Sequence, residues 1–250
     1  MVELGLIGFP LGHSFSPRYF ESKFRQEGVE GRYDLYPISD ISRLPELLDR
    51  HPGLLGLNVT IPYKERVIPY LDYLSDDARA IGAVNVIKIE RQEDGTRILS
   101  GHNTDWQGFL QPLLPLLHTE CRRALVLGTG GASKAVYYAL ETQGIATTLV
   151  SRRPTPGSGM ISYDQITREE IEDHKIIVNA TPRGMYPNVD DAPELDYGQV
   201  TDRHICYDLI YNPEETQFMR RCRERRAVVK NGLEMLHKQA DIAYDIWMQR

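Results

Sequence analysis

Short apolar runs alternate along this chain with stretches in which apolar residues recur at helical spacing, the pattern of a mixed α/β protein. Met1 to Ile7 reads as a short buried strand, stopped by Gly8-Phe9-Pro10. Tyr19, Phe20 and Phe24 then carry a helical stripe to Gly28, and Ser16-Pro17 supplies its start: serine as N-cap, proline at the first helical position, glycine at the exit. Strands are predicted at Tyr33 to Ile38 and Gly53 to Val59, with a helix from Ile41 to Arg50 between them. Asp76 to Ile81 predicts a short helix and Ala83 to Ile89 a strand, which the turn Glu93-Asp94-Gly95 folds back as a hairpin onto Arg97 to Ser100. A helix from Trp106 to Leu117, weakened around Pro112 and Pro115, leads into the second half.

In that half the apolar runs lie at Leu125 to Leu127, Thr147 to Val150, Lys175 to Val178, Ile205 to Leu209 and Val228-Val229. Helices are predicted after Gly131, from Glu214 to Arg225 and from Leu233 to Trp247. Pro154 to Gly159 is loop. The alternation predicts a parallel sheet, and although these runs number five, the six-strand count of a dinucleotide-binding domain is expected.

Chemistry enters with the segment from Ala124 to Arg153. Gly128-Thr129-Gly130-Gly131 follows a strand and opens a helix, with Ala132 in its first turn. Glycines allow the backbone to turn sharply and approach a pyrophosphate, and the helix offers its free N–H groups and positive dipole end. The third fingerprint position holds Ser133 rather than Gly or Ala, so the motif rests on its strand-loop-helix context. A P-loop fits less well, because Ser133 precedes Lys134 and Ala135 follows it. At the end of the next strand stand Ser151, Arg152 and Arg153, with no acid before Asp164. Two guanidiniums and a hydroxyl suit the 2′-phosphate of NADP, where an NAD site would place a carboxylate.

The other half offers quieter candidates. Asn58 and Thr60 lie at a strand's C-terminal end with Lys64 after the turn, where open α/β sheets place ligands, although a lone lysine is ordinarily a solvated side chain. Ser14 and Ser16 flank Phe15 beside a helix start and could hold a carboxylate. Asp105 opens a helix, where a carboxylate meets the dipole favourably.

With 250 residues the chain has room for one large or two modest domains. A net charge of −6 argues against nucleic acid or an anionic membrane as the main partner, and the arginines from 220 to 226 read as a solvated helix face. Three scattered cysteines, with no metal-ligand spacing, and no leader-like or membrane-spanning run predict a reduced, cytoplasmic setting without a metal.

Together the motifs resemble shikimate dehydrogenase over nearly the whole chain: GFPLGHSFSP (8–17), NVTIPYK (58–64), GAVN (82–85), NTDWQG (103–108), GTGGAS (128–133), NATPRGM (179–185), YDLIYNP (207–213) and NGLEMLHKQA (231–240). The resemblance implies an N-terminal α/β substrate domain, residues 1–103 completed by a returning C-terminal helix at 233–250, and a Rossmann NADP domain at 104–232. It implies reversible, NADP-dependent reduction of 3-dehydroshikimate to shikimate, on the route to chorismate and the aromatic amino acids, in a monomer or homodimer. Lys64 and Asp105 match the family's catalytic pair. Ser14, Ser16, Thr60, Asn85, Tyr211 and Gln239 match residues that bind the substrate's carboxylate and hydroxyls, and Leu209 and Gly232 match positions at the nicotinamide end. Ser151-Arg152-Arg153 stands where the family carries Asn-Arg-Thr, and Arg183 where it more often has a small or apolar residue. Phe20-Glu21 occupies the place of a His-Asn pair. The rival readings are a broader quinate/shikimate dehydrogenase using NAD, and a non-catalytic binding protein on the same fold.

Overall fold

Leu4, Leu54, Leu57 and Ile87 are fully or almost fully buried in the first half of the chain, so the sheet they belong to must be covered on both faces. The computed structural model describes residues 1–12 and 15–248, so Ser14 lies outside the described residues. They divide into two compact units, residues 1–104 with 240–250, and residues 105–239.

The first unit is built on six strands in the order β2-β1-β3-β5-β6-β4. β1 (Val2–Gly8), β2 (Gly31–Pro37) and β3 (Leu54–Val59) run parallel, and β5 (Val86–Arg91) joins antiparallel to β3 and to β6 (Arg97–His102). The short edge strand β4 (Tyr73–Leu74) pairs with β6. One face packs on Tyr63, Val67 and α2 (Leu44–Arg50). On the other, α1 (Ser16–Glu27) brings Phe20 and Phe24 against Tyr244 and Trp247 at the end of the last helix, α8 (Leu233–Trp247). Trp247 lies where a Cβ on Gly56 would stand, and its indole N–H donates to the Ile87 carbonyl at 2.9 Å. Asp241 fastens the two helices, accepting from Tyr19 at 2.8 Å and Lys23 at 2.9 Å.

Two local expectations change. Ser16 is the first residue of α1 and not its cap: Phe15 takes the cap position in helical conformation with no side-chain cap, while Gly28 closes the helix at φ 65°. The strand predicted from Ala83 begins only at Val86. Val84 N–H instead reaches back to the Lys64 carbonyl at 2.7 Å, tying the hairpin to the loop after β3. α3 (Asp76–Ile81) lies where predicted, capped by Ser75.

The second unit has five parallel strands in the order β11-β10-β9-β7-β8: β7 (Arg123–Leu127), β8 (Ala146–Val150), β9 (Ile176–Asn179), β10 (Ile205–Asp208) and β11 (Val228–Lys230). Six were expected. The place beyond β8 is held by a single parallel bridge, Val150 to Ile161. The intervening PTPGSG is too rich in proline and glycine to form a strand or a crossover helix, so the outermost strand shrinks to one residue. α4 (Asp105–Leu113) runs through Pro112 and tightens into a 3₁₀ turn at Leu114–Leu116. α5 (Gly131–Thr142), α6 (Arg168–Asp173) and α7 (Gln217–Glu224) complete the layers. The arginines around α7 are engaged: Arg221 lies 5.2 Å from the Tyr197 ring, Arg220 and Arg223 pair with Glu215, and Arg225 donates to the Gly198 carbonyl. No helix among the described residues is long and apolar enough to cross a membrane.

Candidate active site

At the C-terminal ends of β1 and β3 the first unit concentrates neutral polar groups inside an apolar shell. Thr60 continues β3 by donating its N–H to the Ile7 carbonyl, and its methyl group fills the space that Gly8 leaves without a Cβ. Lys64 follows, half-buried, one turn past Ile61-Pro62. Behind them Asn85 is buried and doubly engaged: Nδ2 donates to Thr104 Oγ1 at 2.9 Å, and Oδ1 accepts from Thr104 N–H at 2.7 Å. Asn58 Nδ2 reaches the Asn85 carbonyl at 3.3 Å, and Asn103 donates to the Ala83 carbonyl at 2.9 Å. These amides hold the loops after β3 and before β5 in one arrangement, since each would leave a buried polar group unpaired if it moved.

Tyr33 extends the chain toward Ser16. Its phenol, fully buried and stacked on Phe20 at 4.4 Å, donates to Asn58 Oδ1 at 2.7 Å. Burial drives the phenol's pKa upward, and a hydrogen bond from Ser16 partly offsets the rise. Ser16, Tyr33, Asn58, Asn85 and Thr104 thus form one hydrogen-bonded series, of which the sequence pattern had singled out Ser16 and Asn58, and the family resemblance Asn85. Tyr33 looked like an ordinary strand aromatic, and its partner Asn58 stands two strands away, on the far side of β1.

In the second unit the candidates gather at the C-terminal edge of the parallel sheet. Gly128 turns the chain off β7 at φ 113°, a conformation L side chains rarely adopt, and a Cβ there would lie 3.1 Å from the Ala180 carbonyl oxygen. Gly130, the cap of α5, meets nothing within 4 Å, and no side chain caps the first-turn N–H groups of Gly131 and Ala132. Thr129 is exposed between them. Ser133 is wholly buried against Gly128, with no hydrogen-bond partner for its Oγ among the described residues. Its small size serves the close helix–strand packing that the third fingerprint position provides.

Ser151 leaves β8 and accepts from Arg153 N–H through its Oγ at 3.1 Å, folding a tight turn that exposes both Arg152 and Arg153. Neither guanidinium makes an ion pair among the described residues. Arg183 behaves differently: Asp191 holds its Nε at 3.0–3.1 Å and Glu194 its Nη1 at 2.8 Å, and the two carboxylates raise its pKa further above the ordinary value. Its charge is spent within its own loop. The open glycine loop, the uncapped helix start and the exposed Arg152 and Arg153 fit a dinucleotide carrying an extra phosphate.

Leu209 and Gly232 meet at the ends of β10 and β11: a Cβ on Gly232 would collide with the Leu209 carbonyl, and Gly232 N–H donates to the Ile210 carbonyl at 3.0 Å. Tyr211 follows, with burial raising its pKa. Asp105 heads α4 and is buried. Three residues on, Gly108 lets α4 press against α8, where a Cβ would lie 2.8 Å from Gln239 Cβ and 2.9 Å from the Met235 carbonyl. Gln239 is thus set one helical turn from Asp105, with its Nε2 on the Leu236 carbonyl at 2.9 Å.

Comparison with known proteins agrees with this architecture. Residues 6–87 match the family described as the shikimate dehydrogenase substrate binding domain. A shikimate dehydrogenase (NADP(+)) of Clostridium beijerinckii is 39% identical, over 98% of this chain and 91% of its own. Another, from Caldanaerobacter subterraneus subsp. tengcongensis, is 37% identical over 97% and 90%. The shikimate 5-dehydrogenase of Thermus thermophilus, solved in complex with NADP(H) and shikimate, superposes with a TM-score of 0.87 at 31% identity, covering 100% of this chain and 94% of that one. More than a third of the residues are shared with full-length relatives, and the two-unit fold is shared as well: the chain belongs to the shikimate dehydrogenase family.

Proposed function

We propose that this protein is an enzyme that reversibly reduces 3-dehydroshikimate to shikimate with NADPH. The observation that carries the reading is full-length similarity to NADP-dependent shikimate dehydrogenases, in a chain that retains Lys64 and Asp105 at the matching motifs. When bound, NADPH supplies the hydride that the ketone carbon accepts. The chain's own residues do the rest. Gly128, Thr129, Gly130, Gly131 and Ala132 cradle the pyrophosphate with backbone N–H groups, and Ser151, Arg152 and Arg153 take the 2′-phosphate. Leu209 and Gly232 shape the nicotinamide end.

Ser14 and Ser16 bind the substrate carboxylate, and Thr60, Asn85, Tyr211 and Gln239 bind its carboxylate and hydroxyls. Lys64 gives a proton to the carbonyl oxygen as negative charge builds there, which removes that charge in the transition state. Asp105 holds Lys64 and the neighbouring substrate hydroxyl in register. In the reverse direction Lys64 takes the proton from the 3-hydroxyl. The residues thus belong to two domains, a substrate domain at 1–103 completed by 233–250 and an NADP domain at 104–232. The proposed setting is the cytoplasm, in keeping with three buried thiols, Cys121, Cys206 and Cys222, that remain unlinked.

The test is spectrophotometric, with purified protein, NADPH and 3-dehydroshikimate, then shikimate against quinate and NADP against NAD. Rapid NADPH oxidation with preference for shikimate and NADP is expected. Comparable kcat/KM for quinate with NAD would replace the reading with a broader quinate/shikimate dehydrogenase, and no turnover with any pair would leave a binding protein.

A further inference from the structure

The second unit buries one carboxylate that the proposed chemistry does not use. Asp208 ends β10, is fully inaccessible, and has all its bonding capacity aimed at the loops around it. Oδ1 accepts from Asn179 Nδ2 at 3.1 Å and from Ile210 N–H at 3.0 Å, and Oδ2 accepts from Thr216 Oγ1 at 2.6 Å. Asn179 in turn uses its Oδ1 to accept from Thr181 N–H at 3.1 Å and from the Thr181 hydroxyl at 2.6 Å, which shapes the loop after β9. Thr216 also caps α7, accepting from Met219 N–H. One side chain therefore ties together the ends of β9 and β10 and the start of α7. Between its own bonds it sets the backbone from Leu209 to Ile210, against which Gly232 is pressed.

We propose that Asp208 is a positioning residue: through Ile210, Asn179 and Thr216 it fixes the Leu209–Gly232 contact that receives the nicotinamide end of the cofactor. This rests on the assignment of Leu209 and Gly232 in the proposed function. A carboxylate without a bonded cation is costly to bury, and burial pushes its pKa up to about 6. A group needed only to fill space would be served better by an apolar residue. Asn fits the same bonds: its oxygen can replace Oδ1, and its NH₂ can donate to Thr216 Oγ1, a hydroxyl that accepts as readily as it donates. Ala cannot, and leaves three donors without an acceptor.

The experiment compares wild type, D208A, D208N and T216V for shikimate oxidation and for binding of NADP⁺ and of adenosine 2′,5′-bisphosphate, which lacks the nicotinamide end. Expected for D208A is a loss of kcat of at least about tenfold and weaker NADP⁺ binding, with affinity for the bisphosphate within about twofold of wild type. D208N should stay within about threefold of wild-type kcat. T216V should show a smaller loss of the same selectivity, and it provides the readout if D208A does not fold. Wild-type kcat in D208A or T216V, or equal losses of NADP⁺ and bisphosphate binding, would overturn the assignment. Should wild type fail to oxidise shikimate, the proposed function falls, while the NADP⁺-to-bisphosphate affinity ratio still tests Asp208.

Discussion

At the strand ends of the first unit the polar groups are side-chain amides and hydroxyls already bonded to one another, Asn58, Asn85, Asn103 and Thr104 among them. At the ends of β7 and β8 in the second unit they are backbone N–H groups without a side-chain cap and guanidiniums without an ion pair among the described residues. The difference matches the chemistry that the proposed function assigns to each edge. A small polyhydroxylated ring offers donors and acceptors in fixed directions, so discrimination comes from amides whose own directions are locked. A phosphate carries charge in every direction, so a helix dipole and exposed arginines suffice.

Lys64 is the one cation that the proposal sets among the neutral groups of the first edge, so its removal tests the comparison most severely. For K64A we expect kcat to fall by about 10²-fold or more, the scale of general acid–base catalysis, with KM changed far less. Steady-state kinetics with shikimate and NADP⁺ read this directly. A variant retaining most of its kcat would make the first edge a binding surface only.

Buried charge separates the two edges next. Asp208, with its pKa pushed up to about 6, holds a proton more tightly in the folded than in the unfolded chain. Its contribution to stability is therefore full below the ordinary carboxyl value near 4 and is lost as pH rises through about 6, an effect on the order of 2–3 kcal/mol. The buried His174 and His204, whose pKa values burial lowers, act in the opposite sense as pH falls. Thermal unfolding of wild type and D208N from pH 4 to 8 isolates the carboxyl: the difference should shift in favour of D208N as pH rises. A pH-independent difference would show that Asp208 does not titrate in this range.

The exposed arginines come third. R152A should weaken NADP⁺ by roughly 1.5–3 kcal/mol, the range for a hydrogen bond to a charged group, and leave NAD⁺ almost unchanged. Titration with both cofactors measures it. Equal losses would mean that Arg152 does not read the 2′-phosphate. R183A should change neither by a comparable amount, because Asp191 and Glu194 already engage its guanidinium.

How much of this was legible before the fold was known depends on whether a residue's role is local. The glycine loop, Gly28, α3 and the span of α8 follow from spacing over a few residues, and the structure has them where the pattern predicts. The lack of a sixth strand among the described residues was also local, since PTPGSG forbids it and the apolar runs number five; the count of six came from the domain type. Asp208 and Tyr33 were not legible. Each lies in a strand where the period-two pattern shows only inside or outside, and each acquires its role from an asparagine 25 residues or more away in sequence. Arg183 stayed ambiguous for the same reason, as its partners belong to a loop whose folding no local rule dictates.

The smallest expected effect probes the locked edge itself. Y33F keeps the ring stacked on Phe20 but deletes the phenol oxygen that joins Ser16 to Asn58. Asn58 Oδ1 is then a buried acceptor without its donor, at a cost of roughly 1–2 kcal/mol in denaturant unfolding. The amide cannot simply turn over to recover the loss. Its Nδ2 already reaches the Asn85 carbonyl at 3.3 Å, and that carbonyl also accepts from Val59 N–H at 2.8 Å. A flip would set the amide oxygen against the Asn85 carbonyl, two acceptors facing one another. Y33F combined with N58L should therefore recover part of the stability lost by Y33F alone, because removing both members of a buried pair costs less than removing one. Additive losses in that double variant would mean that the amides of the first edge stand independently, and that the edge is a set of separate contacts.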